Sequence, residues 1–135
     1  MKNVVLGVFL FHSLSALAEE MVFNAFPTSR VVSTSTETSR ELLTANQTNE
    51  NRLQITKIGT NYFWTTRNNR PLTHSTSGDF HIFTDRNGAG YIKIFEPTLY
   101  PKSLTGSKQG YQYLEHVHTL LGTVTYWGSG ESFKP

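Results

Sequence analysis

The chain has 135 residues, room for one hydrophobic core but not for a cofactor domain beside a substrate domain, so large two-domain enzymes are excluded. Hydrophobic residues make up 37% of it and charged residues only 16%, a balance that suits a compact domain and not a disordered chain. Twelve basic against ten acidic side chains leave a net charge of +2, no footprint for a general nucleic-acid or membrane-surface binder.

Lys2 precedes an uncharged stretch from Asn3 to Ala18 whose apolar heart runs from Val4 to Phe11. Ala16-Leu17-Ala18 then supplies the small residues at −3 and −1 that a signal peptidase requires. Residues 1–18 therefore read as a secretory signal peptide, which places the mature chain outside the cell or in the periplasm. The run is short of the ~20 residues that span a bilayer, so no permanent membrane anchor is expected. The absence of cysteine removes thiol catalysis, thiolate zinc sites and iron–sulfur clusters, and leaves packing alone to hold the exported domain. Residues 19–50 read as a flexible arm, or an extended one that could pair with a sheet edge. Within it, Thr38 and Glu41 have capping-box spacing for a short helix, and Asn46-Gln47-Thr48 is a glycan acceptor triplet at Asn46.

The centre of the chain has strand character. Leu53, Ile55 and Lys57 alternate with Gln54, Thr56 and Ile58 before Gly59, and Tyr62 to Thr66 is dense in aromatic and β-branched residues. Asn68 to Pro71 is a turn, and Leu72 to Thr76 a third short strand. Phe80 to Thr84 and Tyr91 to Phe95 form a hairpin around Asn87-Gly88, which supplies the positive φ of a tight reversal. Pro97 and Pro101 bracket a loop reaching about Gln109. Tyr113, Leu114, Val117, Leu120 and Leu121 then fall at i, i+1, i+4, i+7 and i+8, which predicts a helix over 111–121 ended by Gly122. A last strand, Thr123 to Trp127, precedes a polar tail, 129–135. The expected fold is α+β: within residues 51–128, an antiparallel sheet of four to six strands packed by one C-terminal helix.

Three constellations bear on chemistry. His116 and His118 share one side of a strand but lie about 200° apart on a helix, so the helix assignment argues against a metal site. His74 and His81, with Arg67 and Arg70 just upstream and His116 a further candidate, have the composition of a metal-independent phosphodiesterase: one imidazole as base, one as acid, an arginine on the phosphorane. The aromatic residues carry the third. Tyr62 and Trp64 share one strand face, and with Arg67 and Trp127 they are the candidates for stacking on a sugar or anchoring a protein. Gly88-Ala89-Gly90 is no dinucleotide fingerprint, Asp85 to Gly88 lacks the ligands of a calcium loop, and there is no Gly-x-Ser-x-Gly elbow. The leading expectation is an exported, non-enzymatic protein that recognises a glycan or a protein partner without a cofactor. The alternative is a small exported hydrolase or toxin using the histidines and arginines. A third reading, assembly through an exposed edge strand, predicts oligomers.

Overall fold

The computed structural model describes residues 17–96 and 110–135. In chain order they form β1 (Glu19–Thr34), β2 (Thr38–Leu42), α1 (Ala45–Glu50), β3 (Leu53–Ile58), β4 (Asn61–Trp64), a 3-10 turn (Thr65–Arg67), β5 (Arg70–Ser77), β6 (Phe80–Asp85), β7 (Gly90–Phe95), β8 (Tyr111–Thr119) and β9 (Gly122–Phe133). Every strand pairing is antiparallel, and β1 pairs with β9 to close the sheet. The result is a closed eight-stranded barrel with β2 as one extra strand on the upper half of β1.

Period-two alternation explains which side chains go inside. Leu53 and Ile55 of β3, Trp64 of β4, Leu72 of β5, Phe83 of β6, Ile92 and Ile94 of β7, and Tyr113 of β8 are buried together with Phe23, Ala25 and Phe133. An eight-stranded barrel is just wide enough for such side chains to fill it. Outward positions such as Thr73, Ser75 and Ser77 of β5 are exposed and polar, where a lipid-facing strand would be apolar. Among the described residues no helix is long and apolar enough to cross a membrane.

The α+β expectation is overturned, and each difference has a physical reason. Residues 111–121 form strand β8 and a turn, not a helix. Tyr111, Tyr113, Glu115 and Val117 share the inward face, and because one of the four is a carboxylate, the alternation of apolar residues is hidden. The apparent helical stripe was completed by Leu120 and Leu121, which are the exposed apex of the β8–β9 turn. Gly122 ends no helix: it lies where a Cβ would sit 1.9 Å from the Ser33 carbonyl oxygen. The arm expected at 19–50 is instead mostly strand, since β1 is the longest strand and β2 occupies the expected helix start at Thr38. The short helix lies further on, where Thr44 and Gln47 form a reciprocal capping box for α1. The expected tail is part of β9, which runs to Phe133 against β1.

Strands β3 to β7 match the strands expected between Leu53 and Phe95. The expected signal peptide lies outside the described residues except for Leu17 and Ala18, both exposed, and the Pro97 to Gln109 loop lies wholly outside them.

At the seam the two strands approach closely. A Cβ on Gly128 would stand 2.1 Å from the Phe26 carbonyl oxygen and 2.6 Å from Pro27 Cα, so only glycine fits. Gly128→Ala should cost about 3 kcal/mol through forced separation of the backbones. Gly88→Ala, in the open β6–β7 turn at φ +77° with nothing within 4 Å, should cost only about 1 kcal/mol. Urea unfolding of the two variants checks this; equal costs would refute a tight seam.

Candidate functional site

The aromatic residues singled out in the sequence are not brought to one surface. Trp64 is 0% exposed, and its Nε1 donates to Glu115 Oε1 at 3.0 Å. Arg67 Nε donates to the same oxygen at 3.1 Å while its guanidinium lies 5.5 Å from the centre of the Tyr126 ring. Tyr126 in turn donates to Asn51 Oδ1 at 3.0 Å. Tyr62 faces the interior nearer the opposite end, edge-on to Phe83 and His74, with ring centres 5.2 Å apart in each case. Trp127 faces outward and is 38% exposed.

Glu115 is completely buried, and its Oε2 has no partner among the described residues. Burial pushes its carboxyl above the usual range, against the opposing effects of the Arg67 charge and the hydrogen bonds from Arg67 and Trp64. The neighbouring Tyr113 phenol is likewise pushed up, first by burial and then by the Glu115 charge. At the same end Arg70 pairs with buried Asp85 at 3.5 Å, and Asp85 Oδ2 accepts from Ala89 N at 2.7 Å, which ties down the β6–β7 turn. Both arginines are thus committed to acids inside the barrel.

The two histidines of the β5–β6 hairpin do meet. His74 Nε2 and His81 Nδ1 are 3.0 Å apart, and His81 Nε2 is 3.0 Å from Glu96 Oε1. With Glu96 ionised, the proton order follows: His81 Nε2–H donates to the carboxylate, and His81 Nδ1 accepts from His74 Nε2–H. His74 Nδ1 is then left with a lone pair that no hydrogen bond among the described residues occupies. The His74 ring stacks on Phe83 at 4.5 Å, and the His81 ring meets the Phe133 edge at 4.7 Å. His74 titrates below the usual imidazole range, because of burial first and then the charges of His81 and Lys57. Arg70 is four residues from His74 along β5, about 13 Å at the rise of a strand, and among the described residues the cation whose charge bears on His74 is Lys57. Glu96 was missed in the sequence. The signal was present in the alternation of Ile92, Ile94 and Glu96 on one face of β7 and its extension.

This arrangement does not fit the phosphodiesterase expectation as drawn. That mechanism needs a base and an acid on opposite sides of phosphorus, whereas His74 and His81 are bonded to each other in series. His116 lies apart on the outer face. Its Nδ1 is 2.8 Å from Thr125 Oγ1, its ring stacks on Tyr91 at 5.2 Å, and His118 is edge-on at 5.2 Å. The strand does put both of these imidazoles on one side, yet no group of three or more potential metal ligands exists among the described residues. Asn46 is exposed on α1, while the Thr48 hydroxyl of its triplet donates to the Pro27 carbonyl at 2.9 Å.

The seam builds a concave surface. Register shifts in β1 between Met21 and Phe23, Phe23 and Ala25, and Pro27 and Ser29 bend the outer face into an open groove of about 830 Å³. Its apolar lining includes Met21 and Phe26, 48% and 38% exposed. Asn24, Thr28, Ser129 and Ser132 supply amide and hydroxyl groups. Trp127 flanks it, two residues before Ser129 on the same outward face of β9, and its carbonyl accepts from the Thr28 hydroxyl at 3.3 Å. No family model, curated protein or solved structure matches this chain.

The buried carboxyl makes a pH prediction. Because Glu115 holds its proton to higher pH in the folded protein than in the unfolded chain, the stability it contributes is complete below the ordinary carboxylate range. That stability is lost as pH rises through the folded pKa. Glu115→Gln keeps an acceptor for Trp64 and Arg67 but cannot ionise, so the stability of this variant relative to the parent should rise between pH 4 and pH 8. Urea unfolding followed by tryptophan fluorescence checks this; a relative stability that does not change with pH would show that Glu115 titrates normally.

Proposed function

We propose that this chain is an exported binding protein that takes an uncharged polar ligand, a glycan by its chemistry, in the outer groove of the β1–β9 seam. The observation that carries the reading is the make-up of the groove: half-exposed aromatic rings, Phe26 within and Trp127 beside it, among amide and hydroxyl groups, with Glu131 and Lys134 also in its lining. A sugar presents flat C–H faces and a rim of hydroxyls, which this pattern matches group for group. Asn24 Oδ1 already accepts from Gln54 Nε2 at 3.2 Å, so its amide nitrogen is oriented with donors to spare. Export rests on the apolar run and small-residue cleavage pattern of residues 1–18. The first described strand begins at Glu19, so cleavage after Ala18 leaves every described strand intact.

Trp64 and Arg67, first considered as contacts, support the ligand site only by holding the barrel interior. The platform passes to Phe26, with Trp127 retained. Titration of the purified protein with a panel of soluble oligosaccharides should raise its melting temperature for at least one of them, because a ligand of the native state stabilises it by mass action. Phe26→Ser and Trp127→Ser should each weaken that binding about tenfold, a loss of ~1.4 kcal/mol, and leave the unliganded melt nearly unchanged. Binding that survives both substitutions, or no oligosaccharide that shifts the melt, would rule the reading out.

A further inference from the structure

The Glu96–His81–His74 chain takes no part in the groove. It lies on the inner face of the barrel at the end where β5 and β6 turn back, and it runs from a part-exposed carboxylate to a half-buried imidazole. A polar chain here is a costly choice for packing alone, since imidazole rings stacked on Phe83 and Phe133 occupy positions that aliphatic side chains would fill without desolvation. The order of its hydrogen bonds is that of an activated base: a carboxylate orients one imidazole, which orients the next, and the last has an outer nitrogen with no partner among the described residues.

We propose that this end of the barrel is a catalytic site for hydrolysis of small aryl esters, with His74 as general base and His81 and Glu96 as positioning residues behind it. His74 Nδ1 removes a proton from a water molecule as the water oxygen attacks the ester carbonyl carbon. The bond from that carbon to the aryl oxygen then breaks, and the departing oxygen takes the proton back from the His74 imidazolium. The products are a carboxylic acid and a phenol, and the only co-reactant is water. As positive charge develops on His74, it is shared through His81 Nδ1 and on to the Glu96 carboxylate. Lys57, whose ammonium lies 5.4 Å from the centre of the Tyr62 ring and whose charge bears on His74, is the cation that would stabilise negative charge on a carbonyl oxygen attacked beside His74. The Tyr62 ring, part-exposed and edge-on to His74 at 5.2 Å, offers apolar surface to an aryl group, while Phe83 backs the His74 ring from the core. An ester suits a base backed in series, because attack at a planar carbon needs no separate acid on the far side of the centre.

Among the described residues the titratable and charged groups facing His74 are Tyr62 of β4, Lys57 of β3, and His81 of β6 with Glu96 behind it. The probe is 4-nitrophenyl acetate, hydrolysed by the purified protein, with a His116→Ala/His118→Ala variant to measure the background from the outer imidazoles. The parent and this control should turn over at equal rates. His74→Phe, which keeps a ring on Phe83, should be at least tenfold slower. Glu96→Gln, at a part-exposed position, should keep the parent's melting temperature and KM, lower kcat severalfold, and move the acid limb of the pH–rate profile to lower pH, since loss of the carboxylate makes the imidazole chain less basic. The proposal is overturned if the parent is no faster than free imidazole at matched concentration, or if His74→Phe hydrolyses the probe as fast as the parent. Should His74→Phe fail to fold, a Glu96→Gln variant with unaltered kcat and pH profile overturns it equally.

Discussion

Everything in this molecule depends on the pairing of its first strand with its last. β1 bonds to β3 along Glu19 to Ala25, to β2 along Ser29 to Ser33, and on its other edge to β9 from Phe23 to Thr34. Without the last of these ladders the sheet has two free edges and one apolar face open to water, and a single sheet of this size has nothing to pack against. Closure supplies the missing partner by turning the sheet on itself. The glycines of β9 make it possible: at Gly128 and Gly130 the strands come so close that a side chain would collide with the backbone of β1. Close approach and bulges go together, so the same constraint that closes the barrel also bends its outer surface into the groove.

Closure has a second consequence, in the interior. Apolar rings fill the middle of the barrel, and polar groups collect towards its two ends. At one end Glu115 is enclosed with Trp64 and Arg67, and the unpartnered Oε2 shows that the network is not fully satisfied. Burial outweighs the arginine there and holds the carboxyl above its usual range. At the other end the histidine pair keeps a route to solvent through Glu96. The difference is one of access: a fully enclosed carboxyl is confined to a structural part, while a chain that reaches the surface can exchange protons.

Local pattern made the middle of the fold legible. Leu53 and Ile55, the Tyr62 to Trp64 run and the Asn87-Gly88 turn each carry their own geometric signal, and β3, β4, β6 and β7 form where those signals lie. At the two ends the strand at Thr123 to Trp127 was legible but its pairing was not, because the partners are about ninety residues apart: nothing near Val31 or Ser33 announces that Thr125 and Thr123 will pair with them. Segment 111–121 was misread for a different reason, a carboxylate at an inward position and two leucines at an exposed apex. Alternation showed that Tyr62 and Trp64 share a face but not that this face is the interior. His74 and His81 stood out by composition, but their meeting was not legible, because it depends on the β5–β6 register, which sets His74 opposite Phe83 and His81 opposite Thr76 and so makes the two imidazoles diagonal neighbours.

The wall between the groove and the histidine chain is one residue thick. Phe133 turns inward, where its ring meets His81 at 4.7 Å, Phe23 at 5.8 Å and Tyr111 at 5.6 Å. Its neighbours Ser132 and Lys134 line the groove, and the Lys134 amide donates to the Val22 carbonyl at 2.9 Å, a bond at the end of the seam. A side chain packed to interior density cannot stay in place while its backbone moves. Any shift of β9 at Ser132 is therefore carried by Phe133 to the ring it holds, and the setting of His81 depends on the same seam contacts that shape the groove. Two surfaces that share no residue are joined through one aromatic side chain, a coupling that follows from building a barrel whose closing strand is lined on both sides.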